Sequence, residues 1–165
     1  MRVPEPAVSL VLEPAAAKAR RRTPYDVKFS LPYGVAAMLL HGRVDLASYR
    51  PEAIAEERVL SLARKVRYEV ASFPTFPQAF PGAARVVLKN GDAFEDELLH
   101  QRGSPENPLT EAEICDKFRR NARLILADDT ARRLEREILT LGERDVVRDL
   151  GPKSRRLLSA IQPSL

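Results

Sequence analysis

The sequence predicts an α+β fold in which a small, mostly antiparallel sheet is packed by helices and followed by a helical C-terminal segment. Three observations carry this reading. Asn90-Gly91 sits between two extended runs, the signature of a tight hairpin. Capping residues and apolar periodicity mark helices that begin near Ser30, Pro51 and Thr110. The order strand, helices, strand, hairpin, helices lacks the strict alternation of a doubly wound parallel sheet.

Taken in order, Val8–Leu12 (VSLVL) is short, apolar and β-branched, and reads as a buried strand. A basic loop through Pro24 to Lys28 follows. Ser30 then precedes Leu31 and Pro32, an N-cap with Pro in the first turn, and the apolar run YGVAAMLLHG stops at Gly42. A helix apolar nearly all round is expected to be buried on most sides. From Pro51, a single helical face gathers Ala55, Val59, Leu62, Ala63 and Val66. Val66, Tyr68 and Val70 alternate with charged residues, which predicts a half-buried strand. Three Pro and three Phe in residues 72–82 predict an irregular loop that covers an apolar surface.

At Asn90-Gly91 the expected connection is a two-residue type I′ turn, with Val87 opposite Phe94 and Lys89 opposite Asp92. Thr110 and Glu113 form a capping box ahead of a stripe made by Ile114, Phe118, Ala122 and Ile125. A further helix carries Ala131, Leu134, Ile138 and Leu141 and ends at Gly142. The tail, with Val146, Val147, Leu150, Leu157, Leu158 and Ile161, is read as a last helix. The domain boundary falls between residues 1–108 and 109–165.

Composition narrows the function classes. The chain has 165 residues, 44% hydrophobic and 30% charged, which suits one domain of ordinary size and excludes wholesale disorder. No apolar run approaches the ~20 residues needed to span a bilayer, and the first residues lack the order of a secretory signal. With one Cys there is no internal disulfide, so the expected setting is cytoplasmic. Net charge is +4, but the charges are interspersed. The one cluster, Lys18, Arg20, Arg21 and Arg22, has no interleaved aromatic, so nucleic acid is not an expected partner and neither is a membrane. That cluster reads as a solvated loop or as one wall of a cleft for anionic substrates.

Chemistry-bearing residues are few. His41 and His100 are far apart and fit no metal-ligand spacing, so neither metal nor cofactor is expected. His41 reads as a helix-end residue and Cys115 as a structural, partly buried thiol. The motifs G-x-S-x-G, P-loop and G-x-G-x-x-G are all missing from the sequence. Tyr33, in the first turn of a buried helix, needs a partner for its hydroxyl; packing and a place beside an anion site both supply one.

The run TPYDVKFSLPYGVAAMLLHGRVDLASY (residues 23–49) resembles a signature segment of the MmgE/PrpD family. The resemblance continues through residues 88–122, where Gly103, Pro105, Asn107, Pro108 and Leu109 match a G-x-P-x-N-P-L motif, followed by the Lys117-Phe118 pair. That family includes 2-methylcitrate dehydratase, cis-aconitate decarboxylase and iminodisuccinate epimerase. The resemblance implies the C-terminal part of a carbon–oxygen lyase or isomerase acting on small di- or tricarboxylates, 2-methylcitrate dehydratase-like, with a role in propionate catabolism. It implies a cleft between this α+β part and an all-helical domain that carries the acid/base residues. It maps the family's conserved Tyr onto Tyr33 as a cleft hydrogen-bond donor, with Lys28 and Ser30 as substrate-binding residues. Expected partners are the small carboxylate, the helical domain or a partner chain that supplies it, and further copies in a homo-oligomer. The isolated chain is expected to be inactive. The competing expectation is a non-catalytic interaction or assembly module, a truncated paralogue or separate subunit.

Overall fold

A computed structural model of the protein describes residues 1–18 and 23–141. The chain divides into two compact units, Met1–Pro108 and Leu109–Leu165. The first unit joins a four-stranded mixed sheet to a helical cluster, and the fold class is α+β as predicted.

The sheet has the order β2-β1-β3-β4, from β1 (Arg2–Val3), β2 (Glu69–Val70), β3 (Gly82–Val87) and β4 (Ala93–Leu98). β1 runs parallel to β2 and antiparallel to β3, which pairs antiparallel with β4. β1 escapes sequence reading because two residues display no period. The strand expected from the Val66, Tyr68, Val70 alternation is confined to Glu69–Val70, and both residues are exposed. Alternation makes a strand only where a partner supplies the ladder, and of residues 66–70 β1 pairs with Glu69 and Val70.

Val8–Leu12 is not a strand. Pro6 seeds a first helical turn, α1 (Glu5–Ala7), and the chain continues as a π-helical turn closed by the Glu13 amide on the Val8 carbonyl at 2.8 Å. A short unbroken apolar run is as compatible with a helix as with a strand. Leu12 is buried while Leu10 stays exposed. After α2 (Ala15–Lys18), the expected basic loop is instead α3 (Pro24–Lys28). Thr23 and Asp26 form a capping box and Pro24 opens the first turn, signals that the surrounding basic charge hides in the sequence.

α4 (Leu31–His41) begins and ends where predicted. The Ser30 hydroxyl accepts from the Tyr33 amide, and Gly42 takes the left-handed C-cap at φ 71°, a conformation open to Gly without a Cβ penalty. Pro32, Tyr33, Ala36 and Ala37 are buried, but Met38 and Leu39 are about half exposed, so this helix is covered on fewer sides than its composition predicts. The single helix expected from Pro51 is two, α5 (Pro51–Ile54) and α6 (Glu57–Ala63), interrupted where Glu56 takes extended backbone. Val27, Tyr33, Ala36, Ala37, Ile54, Val59 and Ala63 form the helical core.

The loop of residues 72–81 buries Phe73 and sets Phe76 edge-on to Phe80, which is largely exposed. β3 and β4 are joined through residues 88–92 in a register one residue from expectation: Val86 faces Phe94 and Val87 faces Ala93. The Leu88 amide donates to the Asp92 carbonyl and the Gly91 amide to the Leu88 carbonyl. Gly91 alone turns to positive φ, at 94°. Asn90 keeps negative φ because its side chain braces Asp92, accepting from the Asp92 amide and donating to its carboxylate. The turn therefore spans three residues with Gly in the last place, not the two-residue type I′ form.

In the second unit, the Thr110–Glu113 capping box opens α7 (Glu111–Ala122), and α8 (Asp128–Leu139) follows. The predicted faces are displaced. Ile114 and Ile125 are exposed, and Cys115 is the buried residue of α7. On α8, Ala131 and Glu135 are buried while Ile138 is exposed. Glu135 accepts a two-pronged contact from Arg119, at 2.6 and 2.5 Å. A charged residue at a core-facing position is tolerated when its lone pairs are met in this way. α8 ends at Leu139, ahead of the stop expected at Gly142, and Gly142 and the tail helix lie outside the described residues.

Candidate functional site

The residues singled out by the sequence meet where α3, α4 and the turn after α4 converge. The Thr23 cap fixes α3, whose last turn presents Lys28 to solvent. Asp45 caps a 3₁₀ turn, Leu46–Tyr49, accepting from the Ala47 amide at 2.9 Å, while the Ser48 hydroxyl accepts from the Asp45 amide. This turn presents the Ser48 carbonyl and the Tyr49 ring to the two helices.

Tyr33 is only 4% exposed, and its O–H donates to the Ser48 carbonyl at 2.6 Å. Burial raises the Tyr33 pKa above the ordinary phenolic value, and the nearby Tyr49 and Glu56 add to the effect. Burial raises Tyr49 in the same direction. The hydroxyl is therefore a protonated donor at neutral pH. The Lys28 ammonium lies 5.7 Å from the centre of the Tyr49 ring, a cation–π distance. Ser30 is buried and used twice: its hydroxyl donates to the Lys18 carbonyl at 2.6 Å and accepts from the Tyr33 amide at 3.2 Å. Lys28, Ser30 and Tyr33 are thus drawn into one neighbourhood, and Lys28 alone keeps an exposed charge available to an anion.

Lys18, from the basic cluster, donates to the Leu10 carbonyl, and Arg20, Arg21 and Arg22 lie outside the described residues. His41 meets the Glu56 carboxylate at 2.9 Å, a structural link between the end of α4 and the start of α6. Cys115 is buried. Among the described residues no three His, Cys, Asp or Glu side chains gather as a metal site. None of the described helices is long and apolar enough to cross a membrane.

Sequence reasoning assigned no role to Ser48 or Tyr49, the partners of Tyr33 and Lys28. The available signal was Asp45 three residues ahead of Ser48, a cap spacing that predicts a turn.

The family model of the MmgE/PrpD C-terminal domain matches residues 1–143. The chain belongs to the MmgE/PrpD family. Its curated relatives include a cis-aconitate decarboxylase-like protein (oryM) of Aspergillus oryzae, 29% identical over 76% of this chain and 26% of the relative. The cis-aconitate decarboxylases of Mus musculus and Homo sapiens are 27% and 30% identical, each over 67% of this chain and 23% of their own length. The chain therefore spans about a quarter of the length of these relatives.

The MmgE/PrpD motif near Gly103 has a structural use here. The Gly103 amide donates to the Asn107 carbonyl at 2.7 Å, and the Asn107 side-chain amide donates to the His100 carbonyl at 3.0 Å. Arg102 donates to the Asn107 side-chain oxygen at 2.9 Å. The motif closes a largely exposed loop upon itself through these bonds.

Proposed function

We propose that this chain is the C-terminal domain of a lyase or isomerase that acts on small di- or tricarboxylates. The observation that carries the reading is the family match over residues 1–143. The names of the relatives favour decarboxylation of cis-aconitate over dehydration of 2-methylcitrate as the reaction. Both reactions build negative charge next to a carboxylate, so groups that hold that carboxylate lower the barrier. Lys28 has the exposure to bind it. Tyr33 serves as a donor at the cleft once its hydroxyl turns from the Ser48 carbonyl toward the substrate. Ser30 contributes by holding the start of α4, and the proton-transfer groups come from the helical domain.

The test supplies the purified chain with a helical domain of the family and assays cis-aconitate and 2-methylcitrate. Turnover by the pair and none by the chain alone is expected. Tyr33→Phe in the active pair should lower kcat by roughly 10–1000-fold. Unchanged kcat would leave Tyr33 a packing residue. A pair that neither binds nor converts polycarboxylates would favour the second reading, a non-catalytic assembly module. That reading has its own support in the internal satisfaction of both the Ser30 and Tyr33 hydroxyls.

A further inference from the structure

Lys28 and Tyr33, the two residues offered to a substrate carboxylate, are held by consecutive residues of one turn. The Tyr33 hydroxyl donates to the Ser48 carbonyl at 2.6 Å, and the Lys28 ammonium stands 5.7 Å from the centre of the Tyr49 ring. The turn itself is tied down. Asp45 accepts from the Ala47 amide, the Ser48 hydroxyl accepts from the Asp45 amide, and the Arg50 amide donates to the Ala47 carbonyl at 3.2 Å. The half-buried Tyr49 ring packs against the helical core. It is a fixed surface, whereas Lys28 is exposed at the end of a flexible stem.

Charge makes the place of that ammonium matter. Burial first, then the fields of Tyr49 and Glu56, raise the Tyr33 pKa. The Glu56 field that disfavours a phenolate there also disfavours an incoming carboxylate. A cation has to offset it. His41 meets the Glu56 carboxylate, and Arg43 is engaged by Asp45 at 3.3 Å. Among the described residues Lys28 has no carboxylate partner, and its contact is the Tyr49 ring. An aromatic face attracts an ammonium through its quadrupole and carries no net charge. It therefore holds Lys28 without neutralising it, which a carboxylate in the same place would do.

We infer that Tyr49 is a positioning residue of the carboxylate site, whose ring keeps the Lys28 ammonium in place beside the residue that binds Tyr33. A substrate carboxylate then meets a placed cation in place of a freely rotating one. This role rests on the reading of Lys28 as a carboxylate-binding group, because Tyr49 acts through Lys28. At an exposed site such an attraction biases the side chain toward the held position by roughly two- to five-fold.

NMR of the full chain reads the geometry. The Lys28 ε-methylene should resonate upfield of those of Lys65 and Lys89, because it lies over a ring face. The shift should persist in Tyr49→Phe and vanish in Tyr49→Leu. Titration with tricarballylate, an unreactive tricarboxylate, reads the function. Tyr49→Phe should bind it as the wild type does, and Tyr49→Leu roughly two- to five-fold more weakly. Lys28→Met keeps the apolar stem and removes the charge, and in that background Tyr49→Leu should change nothing further.

An unshifted Lys28 in the wild type overturns the inference without recourse to any variant. Unchanged binding in Tyr49→Leu overturns it too. An equal loss with and without the Lys28 charge would make Tyr49 a packing residue, and a loss in Tyr49→Phe as large as in Tyr49→Leu would assign the effect to its hydroxyl. A different pattern marks failure of the underlying site. If the shift is present but the wild type does not bind tricarballylate, or Lys28→Met binds it equally well, the carboxylate reading of Lys28 fails and the role of Tyr49 falls with it.

Discussion

Tyr33 has one hydroxyl proton and two claims on it, the Ser48 carbonyl seen in the structure and the substrate carboxylate of the proposed reaction. The structural claim has a measurable size. Tyr33→Phe keeps the ring packing and strands a part-buried carbonyl, so unfolding stability in urea should fall by about 1–2 kcal/mol, whatever happens to kcat. Lys28→Ala tests the other member of the site. Lys28 is exposed and, among the described residues, spends its charge on the Tyr49 ring, so its removal should leave the melting temperature within a few degrees and raise KM for a polycarboxylate several-fold in the complemented enzyme. At this scale the sequence names the candidate residues of the proposed site but not their attachments. Ser30 is legible as a cap from Leu31 and Pro32 behind it, whereas its bond to the Lys18 carbonyl joins residues twelve apart and depends on how α2 and α4 pack.

Helix ends are the most legible features of the elements. The Ser30, Gly42 and Thr110 caps all stand where residue type and spacing put them, because a cap is satisfied within four residues of chain. Thr110→Ala should therefore cost about 1 kcal/mol in thermal or urea unfolding. Gly91→Ala should cost about 1–3 kcal/mol, since a Cβ is strained at φ 94° although no neighbour blocks it. Helix faces were less legible. Apolar spacing put Ile114 and Ile125 inside, whereas packing buried Cys115 and Glu135, the latter paired with the exposed Arg119.

That pair has a pH signature. The Arg119 guanidinium holds the Glu135 carboxyl below its ordinary value of 4.5. A depressed folded pKa stabilises the native state above the unfolded value and is lost as pH falls through the folded one. Melting of the full chain should thus drop between pH 5 and acid values at which Glu135 protonates, and Glu135→Gln should flatten that part of the profile.

For the whole molecule, a chain that spans a quarter of its relatives' length, with the proton-transfer groups of the proposed reaction assigned to another domain, should not turn over cis-aconitate or 2-methylcitrate by itself. Activity of the purified chain, abolished by Lys28→Ala, would overturn this expectation. The sequence by itself determined the family, the α+β class, and the caps that start and stop α4 and α7, because each depends on residue type within a short window. Tertiary structure decided the rest. Val8–Leu12 became a helical turn, residues 66–70 kept only two residues of strand, and the hairpin shifted its register by one. Each of these outcomes depends on which distant backbone or side chain satisfies the segment's polar groups, and local pattern does not encode that partner.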